Sequence, residues 1–176
     1  DYTVLTALDL TNFYVLPQTR FNQIDYNLQQ AKAEAFYHKH NKARVQMDGT
    51  GVGIPIFDSL VRIIPRLEQY VFTEQSRKDL LENLKMKIET QQIRIPNDPV
   101  LVAELQAFQY QLTPQGKVRI DSPPNVHNDT VMSLALACWD MPDKPINYLY
   151  DEQREILKQF DANKNKKKSF AGIRFK

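Results

Sequence analysis

Apolar residues recur at helical spacing in several stretches of the chain. Within residues 22–41, Ile24 and Leu28 begin a series with three- or four-residue spacing, which predicts a helix with one buried stripe. Residues 129–139 carry small or apolar side chains nearly all round, which predicts a helix enclosed by the core. The predicted helices are residues 22–41, 54–61, a helix that opens with a capping box at Ser76-Arg77-Lys78-Asp79, 98–107 and 129–139.

Short runs of β-branched and aromatic residues predict the strands. Residues 3–8 and 13–16 flank the turn sequence Asp9-Leu10-Thr11-Asn12, which predicts a hairpin at the start of the chain. A second hairpin is predicted where Thr113-Pro114-Gln115-Gly116 separates two late strands. The predicted strands are residues 3–8, 13–16, 43–47, 67–72, 93–95, 108–112 and 118–120.

Strands and helices alternate along most of the chain, which predicts an α/β fold with a mixed sheet and helices on both faces. We assign residues 1–140 to this domain and residues 141–176, with a candidate helix at 151–160, to a C-terminal extension. No apolar run approaches the roughly 20 residues that span a membrane. The single cysteine, Cys138, excludes an internal disulfide and a cysteine metal cluster.

The net charge of +2 hides an asymmetry along the chain. Residues 162–176 contain six basic and no acidic side chains, so the remainder of the chain carries −4. A basic tail of this kind either contacts nucleic acid or an acidic partner, or is a solvated end. The tail's central cations are Lys166, Lys167 and Lys168.

Three of the five glycines lie in the run Asp48-Gly49-Thr50-Gly51-Val52-Gly53. A glycine-rich turn between a strand and a helix can hold phosphate. A Walker A loop would end in Gly-Lys-Ser/Thr, but Gly53 precedes Ile54, and the glycine spacing does not match the dinucleotide pattern. The chain is therefore not an ATPase by itself. Taken alone, Asp48-Gly49 is typical of an ordinary turn.

A second polar motif, His127-Asn128-Asp129, precedes the predicted buried helix. Asp129 has an ordinary interpretation as the helix N-cap. The positive end of a helix also stabilises an ionised carboxylate, which is the ligand that a hard cation requires. Together, Asp48 and Asp129 would place one carboxylate at a strand end and one at a helix start, and such carboxylates can hold a pair of Mg²⁺ or Mn²⁺ ions for phosphodiester cleavage.

These motifs belong to an ordered series that runs from Asp1 to about Asp140. The series comprises Asp1-Tyr2-Thr3-Val4-Leu5, Met47-Asp48-Gly49-Thr50-Gly51-Val52-Gly53, Phe72-Thr73 with Ser76-Arg77-Lys78, Asn83-Leu84 with Ile88-Glu89, Glu104-Leu105 with Phe108-Gln109-Tyr110, and His127-Asn128-Asp129-Thr130-Val131 leading into Leu134-Ala135-Leu136-Ala137. In this order and spacing, the sequence resembles the nuclease domain of phage terminase large subunits.

The resemblance implies an RNase H-like fold and a two-metal endonuclease that cuts concatemeric viral DNA during packaging. It assigns Asp48 and Asp129 as catalytic metal ligands, with His127, Gly49 and Thr50 in supporting positions. It also implies double-stranded DNA as substrate, an upstream ATPase motor in the same protein, and the portal and small terminase subunit as partners. The place of action would be the cytoplasm of the infected host cell.

Two departures from the family pattern affect the expected metal site. The first family carboxylate lies a few residues before the Asp-Tyr-Thr stretch, so we expect it to have no counterpart here, with Asp1 the nearest substitute. Asn128 replaces an acid of the family's His-Asp-Asp run, so it can offer a carbonyl oxygen but no charge. We therefore expect the chain as it stands to bind metal poorly and cut slowly, and native upstream residues to restore cleavage.

Several cations are candidates for contact with DNA phosphate. Arg77 and Lys78 open a predicted helix, and Lys117 and Arg119 lie in the late hairpin, although a solvated face is the ordinary interpretation of each. Two other functions remain open at this point: another RNase H-like nuclease of the resolvase or transposase type, and an inactive DNA-binding or docking module.

Overall fold

The structure is a computed structural model, and it describes residues 2–50, 53–112, 118–123, 125–146 and 155. Its contacts divide the chain into two compact units. The first unit contains residues 1–9 and 13–141, and the second contains residues 10–12 and 142–176. Within the second unit, the Ile146 N–H donates to the Leu10 carbonyl at 2.8 Å. The helix predicted at 151–160 lies outside the described residues, apart from Glu155.

The first unit begins with four short strands, β1 (Thr3–Leu5), β2 (Leu8–Asp9), β3 (Tyr14–Val15) and β4 (Thr19–Phe21). They form antiparallel pairs, β1 with β4 and β2 with β3. Leu8 lies opposite Val15 and Asp9 opposite Tyr14, so the predicted hairpin is confirmed next to its turn, although Asp9, predicted as a turn residue, lies in a strand. The pairing continues further than predicted, because the unpredicted β4 lies alongside β1 with Thr3 opposite Phe21.

Helix α1 (Tyr26–Lys39) leads into a β-α-β unit. Strand β5 (Val45–Asp48) and strand β6 (Leu67–Tyr70) are parallel, and helix α2 (Gly53–Leu60) connects them. A parallel pair requires such a crossover connection. A cluster of buried side chains lies among α1, α2, β6 and the connection from α2 to β6, and it consists of Tyr37, Leu60, Ile64 and Leu67.

Helix α3 (Glu74–Glu89) has Thr73 as its N-cap, three residues before the N-cap Ser76 that the sequence analysis predicts. The capping box is formed by Thr73 and Ser76, since each side chain bonds the other residue's backbone N–H. The prediction that Ser76 opens a box with Asp79 is therefore wrong: Ser76 already lies in the first helical turn. Threonine is also a preferred N-cap residue, so Thr73, three residues before Ser76, was a second candidate for the cap.

The main core lies where α5 (Asp129–Trp139) packs against α3 and against α4 (Pro99–Ala107). Between α4 and α5, β7 (Gln109–Leu112) and β8 (Val118–Asp121) form the predicted antiparallel hairpin. The buried side chains of this core are Leu80, Leu81, Leu84, Leu101, Val131, Leu134, Ala135 and Cys138. In α5, five of the eleven residues are buried and the other six are half-buried, so no residue of 129–139 is exposed, as predicted for an enclosed helix.

The strand predicted at 93–95 is reduced to an isolated parallel bridge between Arg94 and Tyr14. Pro96 lacks an N–H and restricts the residue before it, which limits further pairing. Among the described residues each strand ladder is two-stranded, and the mixture of parallel and antiparallel pairs with five helices is the predicted α/β class. In the described part of the chain, no helix is long and apolar enough to cross a membrane.

Candidate metal centre and its relatives

Asp48 is the last residue of β5, opposite Tyr70 of β6. Its side chain is exposed, and its Oδ1 accepts the Thr50 N–H at 2.8 Å. The ladder continues one residue further, because the Gly49 N–H donates to the Tyr70 carbonyl at 2.9 Å. The Asp48 carboxylate is therefore exposed to solvent at the end of β5. Hydrogen bonds from the N–H groups of Gly49 and Thr50 fix the backbone at this strand end.

The two residues after Asp48 are fixed to β6 and to the segment that follows it. The Thr50 Oγ1 accepts the Phe72 N–H at 2.9 Å. Gly49 is buried because the Gln69 side chain lies over it and donates from Nε2 to the Gly49 carbonyl at 2.9 Å. Gly49 and Thr50 thus support the position of Asp48, whereas residues 51–52 of the glycine run lie outside the described residues.

Tyr70 ties this strand end to its neighbours. Its hydroxyl donates to the Ser76 carbonyl at 2.8 Å, and its ring meets the Trp139 ring edge-on with centroids 5.5 Å apart. Burial raises the pKa of the Tyr70 hydroxyl, so it remains a neutral donor at physiological pH. The start of α3 and the end of α5 are thereby connected to the strand beside Asp48.

Asp129 is the first residue of α5, and its side chain is 22% exposed. Its Oδ2 accepts the backbone N–H of Tyr2 at 3.0 Å and lies 3.6 Å from His127 Nδ1. The ring of Tyr2 also meets the His127 ring edge-on, with centroids 5.4 Å apart. The carboxylate is therefore oriented by the beginning of β1 and by the imidazole two residues before it.

Asn128, not Asp129, is the N-cap of α5, so the ordinary interpretation of Asp129 as a cap is wrong. Asn128 makes no side-chain capping bond, and its Nδ2 instead donates to the Ser122 hydroxyl at 3.0 Å. The Nδ2 atom of Asn128 is therefore engaged with Ser122. The amide of Asn128 therefore offers its carbonyl oxygen as the remaining polar atom.

The described residues supply a donor set suited to a hard divalent cation. Asp48 and Asp129 offer carboxylate oxygens and Asn128 offers an amide oxygen, the ligand types that Mg²⁺ and Mn²⁺ prefer. Helix α5 packs against both β1 and β5, the strands that hold the two acids in place. Among the described residues, no group of three or more His, Cys, Asp or Glu side chains forms a candidate metal cluster. The proximity of Asp48 to Asp129 stays a prediction, and Asp1 lies outside the described residues.

Glu104 belongs to the ordered series of motifs in the sequence, but the sequence analysis assigned it no role. Glu104 of α4 is 5% exposed, and one of its oxygens accepts both the backbone N–H and the hydroxyl of Thr130. A lone acid inside the apolar run Val100–Leu105 is the signal that could have pointed to it.

The candidate DNA contacts differ in how far the structure describes them. Lys78 lies 3.7 Å from Glu82 on the same exposed face of α3, which fits the ordinary interpretation of a solvated helix face. Arg77 is half-buried near the start of the same helix. Arg119 lies in β8 opposite Gln111, but its side chain is outside the described residues. Lys117 and the tail cations Lys166, Lys167 and Lys168 are also outside them.

Comparison with known proteins identifies the family. A model described as the terminase RNaseH-like domain matches residues 1–139. The large terminase subunits of Thermus virus P23-45 and Thermus phage G20c are each 32% identical to this chain over 138 residues, or 78% of its length. The match covers 28% of each relative, so the chain spans a little over a quarter of their length.

Solved structures agree with the family match. The large terminase nuclease of thermophilic phage G20c with bound cobalt superposes with a TM-score of 0.74 and 30% identity, covering 80% of this chain and 75% of that one. Its magnesium-bound form gives 0.73 and 29% over the same shares. The large terminase nuclease domain of bacterial virus Sf6 with manganese, 13% identical with a TM-score of 0.59, supports the fold alone. The fold is therefore the RNase H-like fold of phage terminase nucleases, and the chain belongs to the terminase RNaseH-like domain family.

Proposed function

We propose that this domain is a metal-dependent endonuclease that cuts double-stranded concatemeric viral DNA during genome packaging. The observation that carries the proposal is the placement of Asp48 at a strand end and Asp129 at a helix start, within a fold shared with nuclease domains solved with cobalt, magnesium, zinc or manganese. The family match favours this function over a resolvase or transposase.

Some residues of the site would bind the cations, and others orient the carboxylates that bind them. Asp48 and Asp129, with the Asn128 carbonyl, would bind two divalent cations, Mg²⁺ or Mn²⁺. When bound, such a pair supplies a nucleophile at neutral pH and charge stabilisation for phosphodiester hydrolysis. The Tyr2 N–H orients the Asp129 carboxylate, and the Thr50 N–H orients that of Asp48. The hydrogen bonds of Gly49 and Thr50 to β6 and Phe72 keep the strand end from shifting.

The first test is cleavage of supercoiled plasmid by the full-length native protein in Mn²⁺ and in Mg²⁺. Asp48→Asn and Asp129→Asn should each reduce cutting at least about a hundredfold, because each removes a charged ligand while keeping the shape of the side chain. Asp58→Asn, a change at an exposed acid on α2, is the matched control and should cut at the wild-type rate. Wild-type cutting by both site variants would leave an inactive DNA-binding or docking module as the better explanation.

A gain-of-charge variant tests the departure at Asn128. Asn128→Asp restores the family's acid beside Asp129 and should lower the Mn²⁺ concentration needed for half-maximal cleavage, because a second carboxylate adds compensating charge. An unchanged or higher concentration would indicate that the Asn128 side chain does not face the cations. Ser122→Ala removes the acceptor of the Asn128 amide and separates this effect from loss of that hydrogen bond.

DNA binding should be insensitive to sequence and steeply dependent on salt, because the candidate cations suit phosphate contact and not base reading. Deletion of residues 162–176 removes six positive charges and should weaken binding and flatten its salt dependence. Titration of duplex DNA at several salt concentrations measures both quantities. If neither changes, the tail has a different role, such as docking to a partner.

The cellular setting follows from the same proposal. An ATPase motor in the full-length protein, the portal and the small terminase subunit would be the partners in packaging. The proposed location is the cytoplasm of the infected host cell. Co-purification of the full-length protein with the portal, and loss of viral DNA maturation in an Asp129→Asn phage, would test this setting.

A further inference from the structure

Glu104 is a buried acid whose contacts converge on the start of α5. It lies on α4, and its side chain is 6% exposed. A carboxylate removed from water at this level is costly unless hydrogen bonds or opposite charges compensate it. The contacts of Glu104 therefore indicate what its burial achieves.

One oxygen of Glu104 acts as the missing cap of α5. The Oε2 accepts the Thr130 N–H at 2.9 Å and also accepts the Thr130 hydroxyl hydrogen. The first N–H groups of a helix have no partner within the helix. Helices α1, α3 and α4 satisfy theirs with adjacent caps at Asp25, Thr73 and Asp98, whereas the Asn128 cap of α5 forms no such bond.

The other oxygen faces Arg20, which reaches the opposite side of the site. Glu104 Oε1 lies 4.0 Å from an Arg20 guanidinium nitrogen, and the Arg20 guanidinium carbon lies 3.5 Å from the centre of the Tyr2 ring. Tyr2 in turn donates its backbone N–H to Asp129. Glu104 thus contacts Thr130, the residue after Asp129, directly. Through Arg20 it is also linked to Tyr2, whose backbone N–H bonds Asp129.

We infer that Glu104 is a positioning residue that fixes the Asp129 carboxylate from both sides, through Thr130 and through Arg20 with Tyr2. The inference rests on the proposed function, because it assigns Asp129 as a metal ligand. It adds a role for a residue that touches neither of the two proposed catalytic acids. Residues that orient a metal ligand typically contribute tenfold to a hundredfold to metal affinity.

Glu104→Gln tests this role in the full-length native protein. The variant keeps one acceptor for Thr130 but loses the charge that faces Arg20. The Mn²⁺ concentration for half-maximal plasmid cleavage should rise about tenfold to a hundredfold, while the rate at saturating Mn²⁺ falls much less. Glu82→Gln, a change at an exposed glutamate on α3, should leave both quantities unchanged. A shift below twofold in folded Glu104→Gln protein would overturn the inference.

A second measurement does not depend on activity. In the metal-free protein, Glu104→Gln should shift the Thr130 amide resonance in NMR spectra and speed its hydrogen exchange, and Glu82→Gln should do neither. If Glu104→Gln fails to fold, Thr130→Val removes only the hydroxyl bond and should raise the Mn²⁺ requirement in the same direction. An unchanged requirement in folded Thr130→Val would equally overturn the inference.

Asp129→Asn separates the two proposals. If it leaves cleavage intact, the proposed function fails, and with it the assigned purpose of Glu104. If Asp129→Asn abolishes cleavage while Glu104→Gln leaves the Mn²⁺ requirement unchanged, only the positioning role fails.

Discussion

Gly49 lies next to the proposed ligand Asp48. We predict that Gly49→Ala destabilises the wild-type protein but stabilises a protein in which Gln69 has been replaced by alanine. A Cβ added at Gly49 would lie 1.8 Å from Gln69 Cγ and 2.2 Å from Gln69 Cδ and Nε2. Carbon atoms pack best at about 3.5–4.0 Å, so the contact is too short by about 1.7 Å or more. Gly49→Ala must therefore displace the Gln69 side chain.

The cost of that displacement can be worked from what Gln69 does. Gln69 is exposed, so it can turn towards solvent, but it then loses its 2.9 Å bond to the Gly49 carbonyl. The lost bond costs about 0.5–1.5 kcal/mol, and an altered rotamer costs up to about 1.5 kcal/mol. The φ angle of Gly49 is not in the left-handed region, so alanine itself is not strained there and restricts the unfolded chain by about 0.4–1 kcal/mol in favour of folding. Taking the middle of each range, the net expectation is a destabilisation of about 1 kcal/mol.

In a Gln69→Ala background there is nothing to displace. Gly49→Ala should then stabilise the protein by about 0.4–1 kcal/mol. The two changes therefore define a double-mutant cycle with a coupling of about 1–3 kcal/mol. Equilibrium unfolding in urea, followed by circular dichroism, gives the four free energies of unfolding.

The matched control is the Gln75→Ala background, which removes an exposed glutamine on α3. There, Gly49→Ala should destabilise the protein as it does in the wild type. An equal change in the free energy of unfolding in all three backgrounds would refute the reasoning, since the effect would then have nothing to do with Gln69.

Three further predictions concern other parts of the first unit. Burial raises the pKa of the Cys138 thiol to about 12, so an excess of a thiol reagent at neutral pH should label the folded protein far more slowly than the protein in urea; equal labelling rates would show that the thiol is accessible. Thr73→Ala removes the capping box of α3 and should cost about 0.5–2 kcal/mol in urea unfolding, whereas no measurable loss would show that Ser76 and solvent compensate. The hydrogen bond from Arg44 lowers the pKa of the Glu68 carboxyl, so this pair stabilises the fold above the unfolded-state pKa of glutamate, about 4.3, and the contribution is lost as pH falls through the lower folded-state value. Arg44→Ala should therefore lower stability at pH 7 more than at pH 3, and an equal loss at both would contradict the assigned cause.

Local signals in the sequence predicted most of the elements. The helical spacing in residues 129–139 identified α5, and the β-forming runs near residues 45 and 67 identified β5 and β6, because burial of one face repeats with the period of each element. Predicted ends were less accurate, as at Thr73 and Ser76, where two capping residues lie three positions apart. Asp48 and Asp129 were singled out because both are acids placed next to such elements.

Contacts between distant residues could not be predicted in the same way. The sequence around Gly49 does not predict its contact with Gln69. Gln69 reaches Gly49 because β5 and β6 pair in this register. Asn128 occupies the N-cap position, yet the bond from the Thr130 N–H is accepted by Glu104, 26 residues before Thr130. From residue types alone, one expects the nearest polar side chain to cap the helix. In α5 the capping acceptor is instead Glu104, which reaches Thr130 because α4 packs against α5.

The hydrogen bond from Tyr2 to Asp129 joins residues 127 positions apart. Closing so long a loop is entropically costly and occurs only with support from other long-range contacts, such as the bond from the Ser133 hydroxyl to the Val4 carbonyl. A chain emerging from the ribosome exposes Tyr2 early and Asp129 late, so β1 can pair with β4 long before the Tyr2 N–H can bond Asp129. The orientation of Asp129 is then set in the final docking of α5. The proposed metal ligand Asp129 therefore has no fixed carboxylate until α5 has docked against the strands made before it.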